Sequence, residues 1–341
     1  MTPGAGAQST SGSSVPGSLE GARILVTGGL GFIGSNLAHR LVAEGAAVTL
    51  VDSLVPEYGG NPFNVADIAD RVTVNIADVR DVHAMEYLVR GIDVLFNLAG
   101  QTSHLDSMQD PFTDLEINCT SQLHILESCR KFNRGVRVVF ASTRQFYGKP
   151  QYLPVDERHP LHPTDVNGVD KMAGEAYHIL YDEVYGIPCT ALRLTNTYGP
   201  RMRIKDARQT FLGVWLRRLL EDEPFEIWGG EQLRDLSYVD DAVDALMACA
   251  ATDATRGRAL NVGGPPPLSL LELAHLAVQA NGGGSYDLRE FPEDRRRIDI
   301  GSYHADYGEL HRLVGWEPKV GVAEGLSRTI DYFRQHLAHY V

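Results

Sequence analysis

A chain of 341 residues with 43% hydrophobic and 22% charged side chains can bury one large core or two joined ones, and has an ordinary globular make-up. Its formal net charge of -13 repels phosphate polymers on average. That excludes general binding to nucleic acid or anionic membranes, while a local basic pocket stays possible. No run approaches the roughly 18 apolar residues of a membrane span. The four cysteines, Cys119, Cys129, Cys189 and Cys249, are widely spaced without a C-x-x-C pair. They read as reduced, packed thiols of a soluble cytoplasmic protein, and no metal site is expected.

The first stretch, residues 1–21, is rich in Gly, Ser, Pro and Thr, with no basic residue and no apolar run. It is unlike a secretory signal and reads as a disordered leader. RILVT has the length of a buried strand, and NLAHRLVAEG has helical periodicity with a glycine stop. Between them Gly28, Gly31 and Gly34 follow a G-x-x-G-x-x-G spacing, with Phe32 and Ile33 opening the helix. Glycine permits the tight turn and lets backbone amides approach a pyrophosphate at the helix N-terminus. AAVTLVDS is a second buried strand ending in Asp52, a carboxylate placed to accept from both ribose hydroxyls and to repel a 2′-phosphate. NAD is therefore expected rather than NADP. VTVNIADVRD puts Asp78 and Val79 at the next strand end, where Asp78 suits an adenine amino group, with a plain helix cap as the lesser reading. DVLFNLAG brings Leu98, Ala99 and Gly100 to the cofactor.

Residues 110–133 have apolar side chains at helical spacing and read as one long helix. GVRVVFAST is a buried strand whose carboxyl end carries Ser142 and Thr143, the end that faces the ligand crevice of an open sheet. The helix over 168–186 carries Lys171. Further on come Asn196 in RLTNTYGP, Trp228 in FEIWGGEQ and Arg234 in QLRDLSYVDD. Trp228 reads as core packing or as a stacking partner for a base. The stretch 201–211 packs Arg201, Arg203, Lys205 and Arg208 into an acidic chain, as a solvated loop or as a lid that meets an anion.

Taken in order, TGGLGFIG, IADV, NLAG, ASTRQFYG, the lysine of DVNGVDK, RLTNTYGP and QLRDLSYVDD resemble the extended short-chain dehydrogenase/reductase family, in its nucleotide-sugar epimerase and dehydratase group. The resemblance covers about residues 22–335. It implies an α/β fold, a Rossmann-type doubly wound parallel sheet over 22–195 with a returning segment at 231–263. A smaller nucleotide-sugar domain would comprise 196–230 and 264–341. It also implies a homodimer paired through the helices around 112–131 and 168–185. By the same resemblance, Thr143 positions the hydroxyl being oxidised and Lys171 holds the nicotinamide ribose. Ser142, Arg144, Asn196, Arg208, Trp228, Arg234 and Arg297 line the substrate, the arginines suiting phosphate through their planar fork.

One departure stands out. Where the family has a tyrosine base four residues before the lysine, this chain has Asn167, which has no proton to give up. Either another group or a relayed water serves, with Asn167 orienting it and Tyr147, His162 or His104 as candidates, or the chain only binds its ligands. Position 144 is Arg and position 145 is Gln, where dehydratases and decarboxylases of the group resemble STDEVYG and STSEVYG. Glutamine cannot shuttle a proton, so an epimerase acting by transient oxidation and hydride return is expected, on a uridine diphosphate hexose or uronate at C4. A dehydratase, decarboxylase or ketoreductase is the alternative.

Overall fold

The computed structural model describes residues 17–58, 60–292 and 299–341. Arg297 and most of the expected leader lie outside them. Leu19 is 3% exposed and belongs to the main core, so packing starts ahead of the boundary expected at residue 22.

Among the described residues, seven parallel strands make one sheet: β1 (Arg23–Thr27), β2 (Ala47–Asp52), β3 (Val72–Ile76), β4 (Val94–Asn97), β5 (Arg137–Thr143), β6 (Cys189–Leu194) and, after a long excursion, the strand Arg258–Val262. In space this last strand lies beside β6, and the order continues β5, β4, β1, β2, β3. Direction of progression reverses between β1 and β4, which opens a crevice at the carboxyl ends of the strands. The strands read as near-continuous Val/Ile/Leu runs because helices cover both faces. On one side lie α1 (Phe32–Ala43) and a late helix, Val239–Ala250, packed on each other. The other side carries α2 (Val82–Leu88) and the helices α3 (His104–Gln109), α4 (Pro111–Leu115), α5 (Ser121–Phe132) and α6 (Val166–Tyr185).

The expected single helix over 110–133 is α4 and α5 joined by a π-helical turn, Glu116–Thr120. Such turns widen a helix locally. Here the widening lets buried Asn118 donate to the Gln101 carbonyl (3.0 Å) and to Asp114 (3.1 Å), tying helix to crevice loop. Helix α6 starts where it does because the Asp165 carboxylate accepts from Gly168 N at 2.7 Å, an N-cap. It stops at Gly186 in the left-handed region, φ 70°.

The rest of the chain forms β7 (Asn196–Tyr198), α7 (Phe211–Leu220), β8 (Phe225–Trp228), β9 (Leu233–Arg234) and β10 (Leu236–Tyr238). Helix α8 (Val239–Ala250) and β11 (Arg258–Val262) are the late helix and edge strand of the main sheet. After them come β12 (Leu268–Ser269), α9 (Leu270–Asn281), β13 (Tyr286–Arg289), α10 (Gly308–Val314) and α11 (Val322–His336). One continuous apolar cluster runs from Ile24 and Leu37 through Trp215 and Leu273 to Phe333, so the smaller part shares a core with the sheet. Among the described residues no helix is long and apolar enough to cross a membrane.

Candidate active site

The crevice has two halves. In the first, the turn after β1 sets Gly28 at φ 67°, its missing side chain pressed to 3.1 Å from the Ala99 backbone. A Cβ on Gly34 would stand 2.2 Å from the Gly28 carbonyl oxygen, so α1 approaches the turn only with glycine there. No side chain caps α1 at Gly31 and its first turn has no acid, which leaves backbone amides and the positive helix end for an anion. Phe32 and Ile33 are the first two residues of that helix. Asp52, at the end of β2, accepts from Leu30 N (3.1 Å) and Leu54 N (2.9 Å). Burial raises its pKa while those amides oppose the rise. Leu98 and Ala99 amides both donate to Thr27 Oγ1, fixing the β4 end, and Gly100 follows. Asp78 is held by Arg80 at 2.7 Å, whereas Asp81 caps α2. Val79 is buried beside it. The cradle that glycine alone permits, the bare helix end and the strand-end acid fit a dinucleotide.

Lys171 meets this half from α6. Its Nζ donates to the Ala141 carbonyl (3.2 Å) and stands where a side chain on residue 100 would be, 2.8 Å from that Cβ position. Burial lowers its pKa to about 8, opposed by the negative charge of Asp114. Asp170, one residue before Lys171 on α6, is pushed above the carboxylate range by burial and by the neighbouring Asp114 carboxyl. Asn167 Nδ2 donates to the Gln101 carbonyl (2.8 Å) and faces Asp114 Oδ2 at 3.2 Å. The amide N–H groups are committed to holding the loop after β4, so Asn167 is a clamp in this structure.

The second half is a cleft of about 830 Å³ between the sheet and the smaller part. Arg144, Asn196, Arg208, Trp228 and Arg234 all line it, brought from five separate segments. Arg208 is ion-paired to Asp106 (2.7 Å) and Asp206 (2.9 Å), while Arg201 and Arg203 bond backbone carbonyls and Asp206. Within the run, Arg203 and Arg208 are thus paired with carboxylates of the chain itself. Trp228 packs edge-on to Phe291. Arg234 donates to the Gly301 carbonyl (2.7 Å) and faces Asp299 at 3.3 Å. A separate hollow of about 730 Å³ lies at the amino ends of β1–β3, away from these groups.

Thr143 ends β5 and accepts from Gln145 N (3.1 Å), which leaves its hydroxyl proton to donate. Ser142 does not join it. Adjacent strand residues face opposite ways, and the Ser142 hydroxyl donates to Glu175 at 2.6 Å in the interior. Tyr147 is also interior: it donates to Asn261, receives Arg193, and burial pushes its phenol up to about 12. His162 is exposed and does not line the cleft. His104 does. Its Nδ1 lies 3.0 Å from Asp165 Oδ2, with the ring 40% exposed and that carboxylate closed to solvent. Asp165 also accepts from Gln145 Nε2 at 3.0 Å. Burial alone would raise its pKa, but His104, Gly168 and Gln145 together hold it below the ordinary value. Asp165 is legible in the sequence as a cap before VNG; its meeting with His104 is not.

The sequence model of the NAD dependent epimerase/dehydratase family matches residues 24–263. The UDP-glucose 4-epimerase of Mycolicibacterium smegmatis is 33% identical over 316 residues, covering 92% of this chain and 98% of its own. UDP-glucuronic acid decarboxylase 1 of Xenopus tropicalis is 32% identical over 327 residues, covering 93% and 73%. Among solved structures, the Thermotoga maritima UDP-glucose 4-epimerase with UDP-glucose superimposes with a TM-score of 0.83 at 30% identity, covering 92% of this chain and 99% of that one. The chain therefore belongs to the NAD-dependent epimerase/dehydratase family, in the extended short-chain dehydrogenase/reductase group of nucleotide-sugar enzymes, and its cofactor is NAD.

Proposed function

We propose that the protein is an epimerase of a nucleoside diphosphate sugar, a uridine diphosphate hexose or uronate inverted at C4. The carrying observation is that Arg144 and Gln145 line the arginine-rich cleft and directly follow Thr143, the last residue of β5, at the carboxyl end of the sheet. Neither of those side chains supplies the acid that elimination or decarboxylation draws on, whereas inversion needs none. Gly28–Gly34, Asp52 and Lys171 would hold NAD, which when bound would supply a reversible hydride acceptor.

Oxidising an alcohol also sets free its hydroxyl proton, and Asn167 cannot take it. In our reading His104 takes and returns it. Nδ1 stands 3.0 Å from Asp165 Oδ2 but outside hydrogen-bond geometry, so in this reading the carboxylate acts on the ring through its charge and Nε2 takes the proton. The Thr143 hydroxyl positions the reacting oxygen, Lys171 steadies the ribose, and Arg234 holds the diphosphate. A homodimer would cover the apolar side chains that α4 and α6 expose, among them Phe112, Leu115, Val169, Leu180 and Val184.

The test is to mix NAD-loaded protein with a panel of sugar nucleotides, following near-ultraviolet absorbance and product. Expected is a C4 epimer with a transient rise in reduced-nicotinamide absorbance and no net loss of NAD. Tight binding without absorbance change or product would make the chain a silent nucleotide-sugar binder, a reading that the committed Asn167 amide favours. Net consumption of added NADH would make it a reductase.

A further inference from the structure

The cleft contains polar groups that no partner within the chain satisfies. Arg144 Nη1 is closed to water and, among the described residues, has no hydrogen-bond acceptor. Its other nitrogen, Nη2, donates to Asn196 Oδ1 at 3.1 Å. That bond fixes which Asn196 atom is oxygen, so the remaining Nδ2, also closed to water and without a partner, is a second orphan donor. The guanidinium lies 4.8 Å over the Tyr303 ring, which supports it without neutralising it. The nearest carboxylates are engaged elsewhere. Asp235 accepts from Gly264 N (2.7 Å) and Ala305 N (2.9 Å), and Asp299 faces Arg234 and Gly301 N.

A guanidinium N–H shut from water without an acceptor is costly, and so is each unmet donor. Native chains keep such groups where a ligand completes them. Both orphans point to an oxyanion, and their position says which one. Arg144 directly follows Thr143, the residue at the reacting hydroxyl, and Asn196 begins β7 just past the neighbouring strand β6. An anion held there lies beside the sugar ring. Arg234 lines the same cleft within reach of the Arg144 charge, is already bonded to the Gly301 carbonyl and Asp299, and is left for the diphosphate.

We propose that Arg144 and Asn196 form a carboxylate subsite, so that the preferred substrate is a nucleotide sugar bearing an acid on its ring, a uronate. This rests on the nucleotide-sugar reading above. The experiment is titration calorimetry of the NAD-loaded protein with UDP-glucuronate, UDP-glucose and UDP. Wild type is expected to bind UDP-glucuronate more tightly than UDP-glucose. Arg144→Gln is expected to weaken UDP-glucuronate by about 30-fold or more and so abolish the preference. Arg144→Lys, which keeps the charge, should retain part of it and serves if the glutamine variant does not fold.

Equal weakening of all three ligands, UDP included, would assign the arginine to the diphosphate and overturn the inference. So would equal affinity of wild type for the two sugars. Failure of wild type to bind any of the three would remove the nucleotide-sugar reading itself, a distinct outcome.

Discussion

Replacing His104 by alanine is expected to lower kcat by about 10²–10⁴-fold, the usual worth of a positioned general base. Affinity for NAD and for sugar nucleotide should change little, because neither half of the crevice is built on the imidazole. Two further readouts separate a proton-transfer role from a structural one. Added imidazole should restore part of the turnover of His104→Ala, since the lost ring leaves an opening on the cleft side. Asp165→Asn should show a smaller loss, because it removes the carboxylate charge 3.0 Å from Nδ1 while leaving the base in place. If His104→Ala turned over at the wild-type rate, the proton would have to leave by another route. Lys171, whose amine burial brings to about 8, would then be next to test.

Glu175→Ala is expected to destabilise the protein by about 3–5 kcal/mol, the cost of leaving a buried charge without its partner. Arg193, on β6, donates to both Glu175 oxygens (2.6 Å to Oε1 from Nη2) and to the Tyr147 hydroxyl at 2.5 Å, all in the interior. Burial would lower the Arg193 pKa, and the Glu175 hydrogen bonds reverse that and raise it. Glu175 also accepts from Ser142, so the cluster pins the end of β5 against α6, one residue before Thr143. Urea denaturation should show a lower midpoint at an unchanged slope. A loss below about 1 kcal/mol, the scale of a surface pair, would mean that the cluster does not anchor the site.

The cofactor half was legible because its signals are local. Glycines at fixed spacing, a strand before, a helix after and an acid at the next strand end lie within one βαβ unit, and physical demands on each residue are met by its neighbours in sequence. The cleft was legible only by type. Asn196 and Arg234 could be named as phosphate-seeking groups, yet that Arg208 lies between Asp106 and Asp206 depends on a contact 102 residues away. Ser142 shows a signal that was available and outweighed: alternation along a strand already says that it and Thr143 face opposite ways. The long helix over 110–133 hid a π turn because the reason for it, Asn118 reaching the Gln101 carbonyl, is tertiary. Asn167 was expected to orient water or substrate. Its amide N–H groups donate to the Gln101 carbonyl and face Asp114, partners that no single-residue argument supplies. His104 was one of three candidate bases on equal footing. Tyr147 lies in the interior and His162 is exposed away from the cleft, whereas His104 lines it beside Asp165, 61 positions later in the chain, and these placements depend on tertiary contacts.

The most direct trial of transient oxidation uses UDP-glucuronate carrying deuterium at C4, incubated with NAD-loaded protein in ordinary water and followed by NMR. Inverted sugar that keeps its deuterium at C4, with none released to solvent, is the outcome this mechanism requires. Inverted product carrying solvent hydrogen at C4 would show the proton to be removed from carbon instead, and the hydride account of this crevice would be wrong.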